Sequence, residues 1–271
     1  GADHPQFVAT YAALFEIELQ RQSGAGALNV LRRWFEALPQ SLAGRVRQVS
    51  LLRQARQTQH AETVLLALMR EYPDHPELLG LSVLMLVQFE REAVAVASLE
   101  RLIAENPRNL AAISELSRLH AGRGRAEQAE RVLDAARAAL ADAPDALYVL
   151  AGLYSAIERS QLAHDVLRQV LRNDPDHASA ANDLGYQLAD EGRELDEAER
   201  LTRLAVAAEP DNAAFLDSLG WVLYKRGRFV EAERYIRQSV QADPSPDPVL
   251  LDHLGDVLWR LDRHEEATAR W

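Results

Sequence analysis

Lys225, Arg226, Gly227 and Arg228 stand together between two apolar runs, and cations around a glycine are the raw material of a phosphate cradle. A cradle needs a strand before it and a helix after it, so that backbone amides converge on the anion. No strand pattern precedes Lys225, and the equivalent corners of the chain carry no matching cations, so the stretch reads as a corner between two helices. "GAGAL" at 24–28 and "GRGRAE" at 122–127 imitate a dinucleotide fingerprint, yet both fall between helical runs and lack its strand and third glycine. The histidines His4, His60, His75, His120, His164, His177, His253 and His264 include no pair at i, i+4 and no flanking Glu of the zinc-protease kind. His75 and His177 fall in turns, and each of the eight is expected at a surface or a corner. Glu265 and Glu266 fit a solvated helix face, and no nucleophile-elbow serine occurs. The residues therefore point to no enzyme, no metal and no cofactor.

Bulk composition narrows the alternatives. The 271 residues are 48% hydrophobic and 26% charged, an ordinary globular balance with enough apolar material for one extended or two compact domains. Residues 1–135 hold 15 Lys+Arg against 16 Asp+Glu and residues 136–271 hold 15 against 25, so nearly all of the net charge of −11 lies in the second half. Phosphate backbones need clustered cations, so nucleic acid is disfavoured as a partner. The absence of cysteine removes disulfides, thiolate catalysis and Cys-ligated zinc while leaving the compartment open. The longest apolar run, "LLGLSVLMLV" at 78–87, is half the length of a membrane span and reads as a buried helix. No signal peptide is visible, and the leading "GAD" reads as an added scar.

Self-similarity dominates the rest. "DLGYQLADEGRELDEAERL" from 183, "SLGWVLYKRGRFVEAERYI" from 218 and "HLGDVLWRLDRHEEATARW" from 253 repeat at 35 residues, and "ELSRLHAGRGRAEQAERVL" from 115 and "VLAGLYSAIERSQLAHDVL" from 149 continue at a 34-residue step. Ala61, Ala95, Ala129, Ala163, Ala198, Ala232 and Ala267 share one register position. Val49, Val83, Ser117, Ala151, Gly185, Gly220 and Gly255 share another, twelve or thirteen residues earlier. Small residues at both positions let two antiparallel helices cross closely. Between them lies a polar corner, often with a Gly to end the first helix. Pro73, Pro107, Pro175, Pro210 and Pro244 punctuate the units, and Pro144 does the same after a longer second helix. These registers predict an almost wholly helical chain with turns near 73, 107, 143, 175, 210 and 244.

The unit at 213–246 places Leu216, Leu219, Gly220, Phe229, Ala232, Ile236 and Pro244 at the offsets of a tetratricopeptide repeat, and the chain resembles that family. The unit with Leu184, Gly185, Ala198 and Pro210 also matches, with one extra corner residue. Units starting near 42, 76 and 110 depart from the pattern, with Val or Ser for the first-helix Gly and Ala141 where Pro would stand in the unit at 110. The pair "PQFVATYAALFEIELQRQ" and "ALNVLRRWFEAL" adds an eighth unit. The resemblance implies an all-α, right-handed superhelical solenoid of about seven to eight antiparallel helix pairs. Residues 1–109 form its divergent repeats and 110–271 its well-matched ones, in one continuous solenoid. The break at Trp271 within a second helix suggests a piece of a longer protein. Residues 180–229 are similar to segments of bacterial envelope repeat proteins, some of them lipoprotein adaptors for proteases. Periplasm, cell envelope and cytoplasm of a bacterium all stay open.

In the family the first helix of each unit lines the concave side. The resemblance thereby places Tyr148, Asn182, Tyr186, Asp217, Trp221, Tyr224, Lys225, Asp252, Asp256, Trp259 and Arg260 on one inner wall. Aromatics interleaved with carboxylates suit a protein or peptide partner of basic and apolar character. Trp221, Tyr224 and Trp259 are expected to anchor it, and Trp221 and Trp259 acting only as filling between repeats is the alternative. The Lys/Asn/Arg clamp of the family's carboxylate-binding members is not matched, since only Lys225 and Arg260 are basic here. The leading reading is a non-catalytic interaction scaffold or adaptor. The runner-up is a segment that recognises substrates for an enzyme domain elsewhere in a larger protein, or that builds a homo-oligomer.

Overall fold

A computed structural model describes residues 5–38 and 41–271; residues 1–4, with His4 among them, lie outside the described residues. Residues 1–125 and 126–271 form two compact units. The first contains α1 (Pro5–Gln20), α2 (Gly24–Ala37), α3 (Leu42–Gln54), α4 (Thr58–Glu71), α5 (Pro76–Gln88), α6 (Glu92–Glu105) and α7 (Leu110–Ala121). The second contains α8 (Ala126–Ala139), α9 (Pro144–Ala156), α10 (Ser160–Asn173), α11 (Ala178–Asp190), α12 (Leu195–Ala208), α13 (Ala213–Lys225), α14 (Phe229–Ala242), α15 (Pro248–Arg260) and α16 (His264–Thr268). All six expected turns fall between consecutive helices, and the expected first pair is present as α1 and α2.

The alanine register is the packing axis of each pair. Ala61, Ala95, Ala129, Ala163, Ala198, Ala232 and Ala267 are all fully buried. Opposite them, a methyl group added to Gly185 would stand 2.7 Å from Thr202 Cγ2 and 2.9 Å from the Ala198 carbonyl oxygen. One added to Gly220 would collide with Ile236, and one added to Gly255 with the Trp271 indole. The missing side chain is thus the room into which the facing helix settles. Around α13, α14 and α15 this closeness builds a core of Leu219, Leu223, Ala232, Ile236, Leu254, Val257, Leu258 and Ala267. In the first unit, Phe15, Ala27, Leu31, Trp34 and Leu38 form the corresponding cluster.

The corners share one backbone device. A left-handed residue recurs at Gln22, Arg56, Glu90, Gly124, Glu158, Gly192, Gly227 and Asp262, each between the two helices of a pair. The corner with the extra residue, between α11 and α12, carries a second one at Glu194. Glycine adopts this conformation without a Cβ clash, and a side chain there costs energy. First helices start on caps: the Asn109 carboxamide accepts from the Ala112 amide at 2.9 Å, and Asn212 accepts from Ala214 and Phe215 at 3.1 and 3.3 Å.

Two expectations need correction. The second helix before Pro144 is not long: α8 has 14 residues, like α10, α12 and α14. Pro144 is the first residue of α9, as Pro76 is of α5 and Pro248 of α15, where the missing amide costs no helical hydrogen bond. "GAGAL" does not lie between helices but opens α2, with the Ser23 hydroxyl accepting from the Gly26 amide at 3.0 Å.

Ala232→Leu forces bulk into the fully buried crossing and should lower stability by about 1–3 kcal/mol, read by denaturant titration. Glu158→Gly, at a corner with φ of 61°, should instead raise it by up to about 1 kcal/mol by relieving the left-handed strain.

Candidate protein-binding face

The basic corner is consumed within the fold. Arg226 bonds Glu199 at 2.8 Å and Asp196 at 2.5 Å, and Arg228 bonds Glu199 at 2.6 Å while forking onto Glu231. Glu199 is buried and also receives Arg203, so three guanidinium groups enclose one carboxylate. The expectation that equivalent corners lack cations is wrong, because a corner arginine recurs and meets the second helix of the preceding pair. Arg91 meets Glu62 at 3.1 Å, Arg159 meets Glu130 at 2.6 Å, and Arg263 meets Glu233. Glu62, Glu130, Glu199 and Glu233 each directly follow an alanine of the crossing register. Arg125 reaches Glu92 at 2.5 Å instead, since Val96 stands at that place in α6. These cations bind carboxylates, not phosphate.

Histidines depart from expectation too. His75 and His177 are turn residues as expected, and their Nδ1 atoms cap α5 and α11, accepting from Leu78 and Ala180 amides at 3.3 and 3.2 Å. His120, His164 and His253 are buried rather than at the surface. His164 replaces glutamate at the post-alanine position, so the α11–α12 corner lacks the usual rung and Arg193 turns to Glu191 at 3.1 Å. His253 lies on α15 with its Nδ1 at 2.9 Å from Asp217 of α13. Among the described residues no group of three metal-ligating side chains occurs, and no helix is long and apolar enough to cross a membrane.

The expected wall residues follow the first helices of the second unit, and many of them hold one another. Asp217 is buried against His253, whose ring lies 4.1 Å from the Trp221 ring at 14°. Trp221 is only 8% exposed; Tyr224 stacks on it at 4.9 Å and the Lys225 ammonium sits 4.7 Å above it. Its indole N–H points to Asp190 at 3.4 Å, and Lys225 pairs with the same carboxylate at 3.6 Å. Tyr148 donates to Asp183 at 2.8 Å and meets the His177 ring at 5.1 Å. Burial, reinforced by Asp183, pushes the Tyr148 phenol up to about 12, so it remains a donor across the physiological range. Burial likewise raises the Tyr186 phenol, with Asp190 and Asp217 adding to the effect. Asn182 is buried, with its amide 3.3 Å from Asp183 and its Oδ1 without a hydrogen-bond donor.

The α15 segment is different. Asp252 is exposed, and neither it nor Asp256 makes a hydrogen bond or ion pair among the described residues. Burial raises the Asp256 carboxyl above its usual range, Asp252 adds to this, and His253 and Lys225 oppose it. Trp259 is 46% exposed beside His264 and Trp271, and the Arg260 guanidinium lies 4.5 Å over the Phe229 ring. Sequence reasoning misses Asp183, Asp190, His177 and His253, the partners that fix the wall. The repeat register offers one signal for them, because Asp183 and His253 stand at equivalent positions.

Tetratricopeptide repeat family models match residues 86–153 and, separately, 153–203 and 187–245. The chain belongs to the tetratricopeptide repeat family, whose domains commonly mediate protein–protein interaction. It is similar to MamA (residue 41 to the end) from Desulfovibrio magneticus RS-1 at 24% identity and a TM-score of 0.51, covering 59% of this chain and 90% of that one. It is also similar to PilW, a type IV pilus biogenesis factor, at 16% identity and 0.55, covering 72% and 90%. A tetratricopeptide repeat protein from Parabacteroides merdae matches at 13% identity and 0.51 over 98% and 91%. At these identities the likeness is one of fold. No match is found among curated proteins.

Removing the enclosed charge tests the corner network. Glu199→Gln leaves its guanidinium partners short of a counter-charge and should cost about 1–2 kcal/mol, discounted because those partners are part-exposed. Glu231→Gln, at a half-exposed partner of Arg228, should change stability far less than Glu199→Gln in the same denaturation measurement.

Proposed function

We propose that the chain is a non-catalytic scaffold or adaptor that holds a protein or peptide partner on the first-helix face of its second unit. The observation that carries this reading is the contrast along that face. Asp190 pairs with Lys225 and Asp217 is hydrogen-bonded by His253, each from the next first helix, whereas Asp252 and Asp256 have no such partner and flank an exposed Trp259. Unneutralised carboxylates beside an accessible indole favour a basic and apolar partner, with aromatic contact supplying affinity and charge supplying attraction. Tyr186, Tyr224, Lys225 and Arg260 widen this surface, while Asn182, Asp217 and Trp221 stiffen it from beneath. Tyr148 extends it on α9.

The partner is obtained by affinity capture and mass spectrometry, and its binding is then measured by calorimetry and stopped flow. Trp259→Ala should weaken it by about 2 kcal/mol. Asp252→Asn should slow association at low salt and change little at high salt. The Asp256 carboxylate titrates above the ordinary range, so binding of a cationic partner should weaken on acidification through that raised value, as the counter-charge is lost. Unchanged binding in both variants, with folding verified by circular dichroism, rejects this face as the site.

A further inference from the structure

The repeat register allows one first helix to be read against another. Asp217, Asn182 and Tyr148 occupy one position, His253, Ser218 and Asp183 a second, and Trp221, Tyr186 and Gly152 a third. Contacts obey the same register: the Asp217–His253 pair at 2.9 Å between α13 and α15 corresponds to the Tyr148–Asp183 hydrogen bond at 2.8 Å between α9 and α11. In α13 the third position carries the Trp221 indole, flat against His253. In α9 it carries Gly152, where a Cβ would meet no atom within 4 Å. The place filled by an indole in one repeat is therefore an unfilled slot, open to solvent, in another.

The chemistry around the slot defines its occupant. Asp183 stands where His253 backs Trp221, so the facing group is a carboxylate. Asn182, 7% exposed and bonded to that carboxylate, keeps an Oδ1 acceptor without a donor. Tyr148 lies one turn before Gly152, and Tyr186 one turn after Asn182, both half-buried. Tyr148 already spends its hydroxyl hydrogen on Asp183. An unfilled place with acceptors and aromatic flanks suits a planar cation with several N–H groups. We propose that the Gly152 slot binds an arginine side chain of the partner, its guanidinium paired with Asp183 and stacked along the tyrosines. This rests on the reading of the first-helix face given above and specifies one contact within it.

N-acetyl-arginine amide is the probe, titrated into the isotope-labelled full chain and followed by amide chemical shifts. Gly152, Tyr148, Asp183 and Tyr186 should shift with the arginine probe, and with the lysine counterpart about tenfold more weakly, because a compact ammonium cannot fill a planar slot. Gly152→Trp supplies the flat ring in cis and should abolish the shifts while retaining helicity. Asp183→Asn keeps an acceptor for Tyr148 and should also abolish them, so a folding defect in either variant leaves the other decisive. Equal response to lysine, or full response in both folded variants, overturns the slot, as does an absence of shifts. Shifts confined to Asp252, Asp256 and Trp259 overturn the slot while supporting the wider face.

Discussion

Everything in this chain depends on how closely two helices of a pair can approach. The seven register alanines are fully buried, and at Gly185, Gly220 and Gly255 the neighbouring chain leaves no room for a side chain. Close approach sets the spacing of each pair, and the spacing decides which side chains of successive pairs can meet. Dispersion attractions across each crossing are individually weak but numerous, and a single added methyl is felt because there is no void to receive it. A 34- or 35-residue period is the sequence trace of that repeated geometry.

Charge is distributed by the same geometry. The left-handed corner turns the chain sharply enough to bring an arginine just beyond it onto the second helix of the preceding pair, where a glutamate follows the buried alanine. Backbone conformation, steric crossing and ion pair are therefore one unit, repeated with substitutions. Where His164 takes the glutamate's place, the arginine finds a different partner, and the α11–α12 corner also carries the inserted residue and two left-handed positions. Variation in one part of the unit coincides there with variation in the others.

Fold is legible in the sequence because its causes are local and periodic. The Ala and Gly registers specify the crossings, and a proline or a capping residue such as Asn212 specifies the start of each first helix. The errors are equally physical. Sequence alone lengthens the helix before Pro144, whereas α8 ends at Ala139 and the fixed φ of Pro144 opens α9. The corner arginines escape a sequence reading because their meaning lies in glutamates about 30 residues back, a pairing that only the stacked helices make. His253 reads as a surface residue since nothing within α15 foretells Asp217 across the gap.

The candidate wall is legible as a set of positions but not as a set of roles. Eleven residues fall along the first helices, yet whether each is available depends on what the next repeat presents to it. Trp221 looks in sequence like an exposed anchor, and His253, Tyr224 and Lys225 together cover it. Asp217 looks like an attracting charge, and an imidazole satisfies it. Conversely, Gly152 carries no chemistry of its own, and its interest comes from the indole that the equivalent position holds two repeats on. In a repeat protein the units supply their own reference state: a side chain that closes a space in one repeat measures the space left open in another. Binding capacity on such a face is thus a property of the differences between repeats, while stability is a property of what they share.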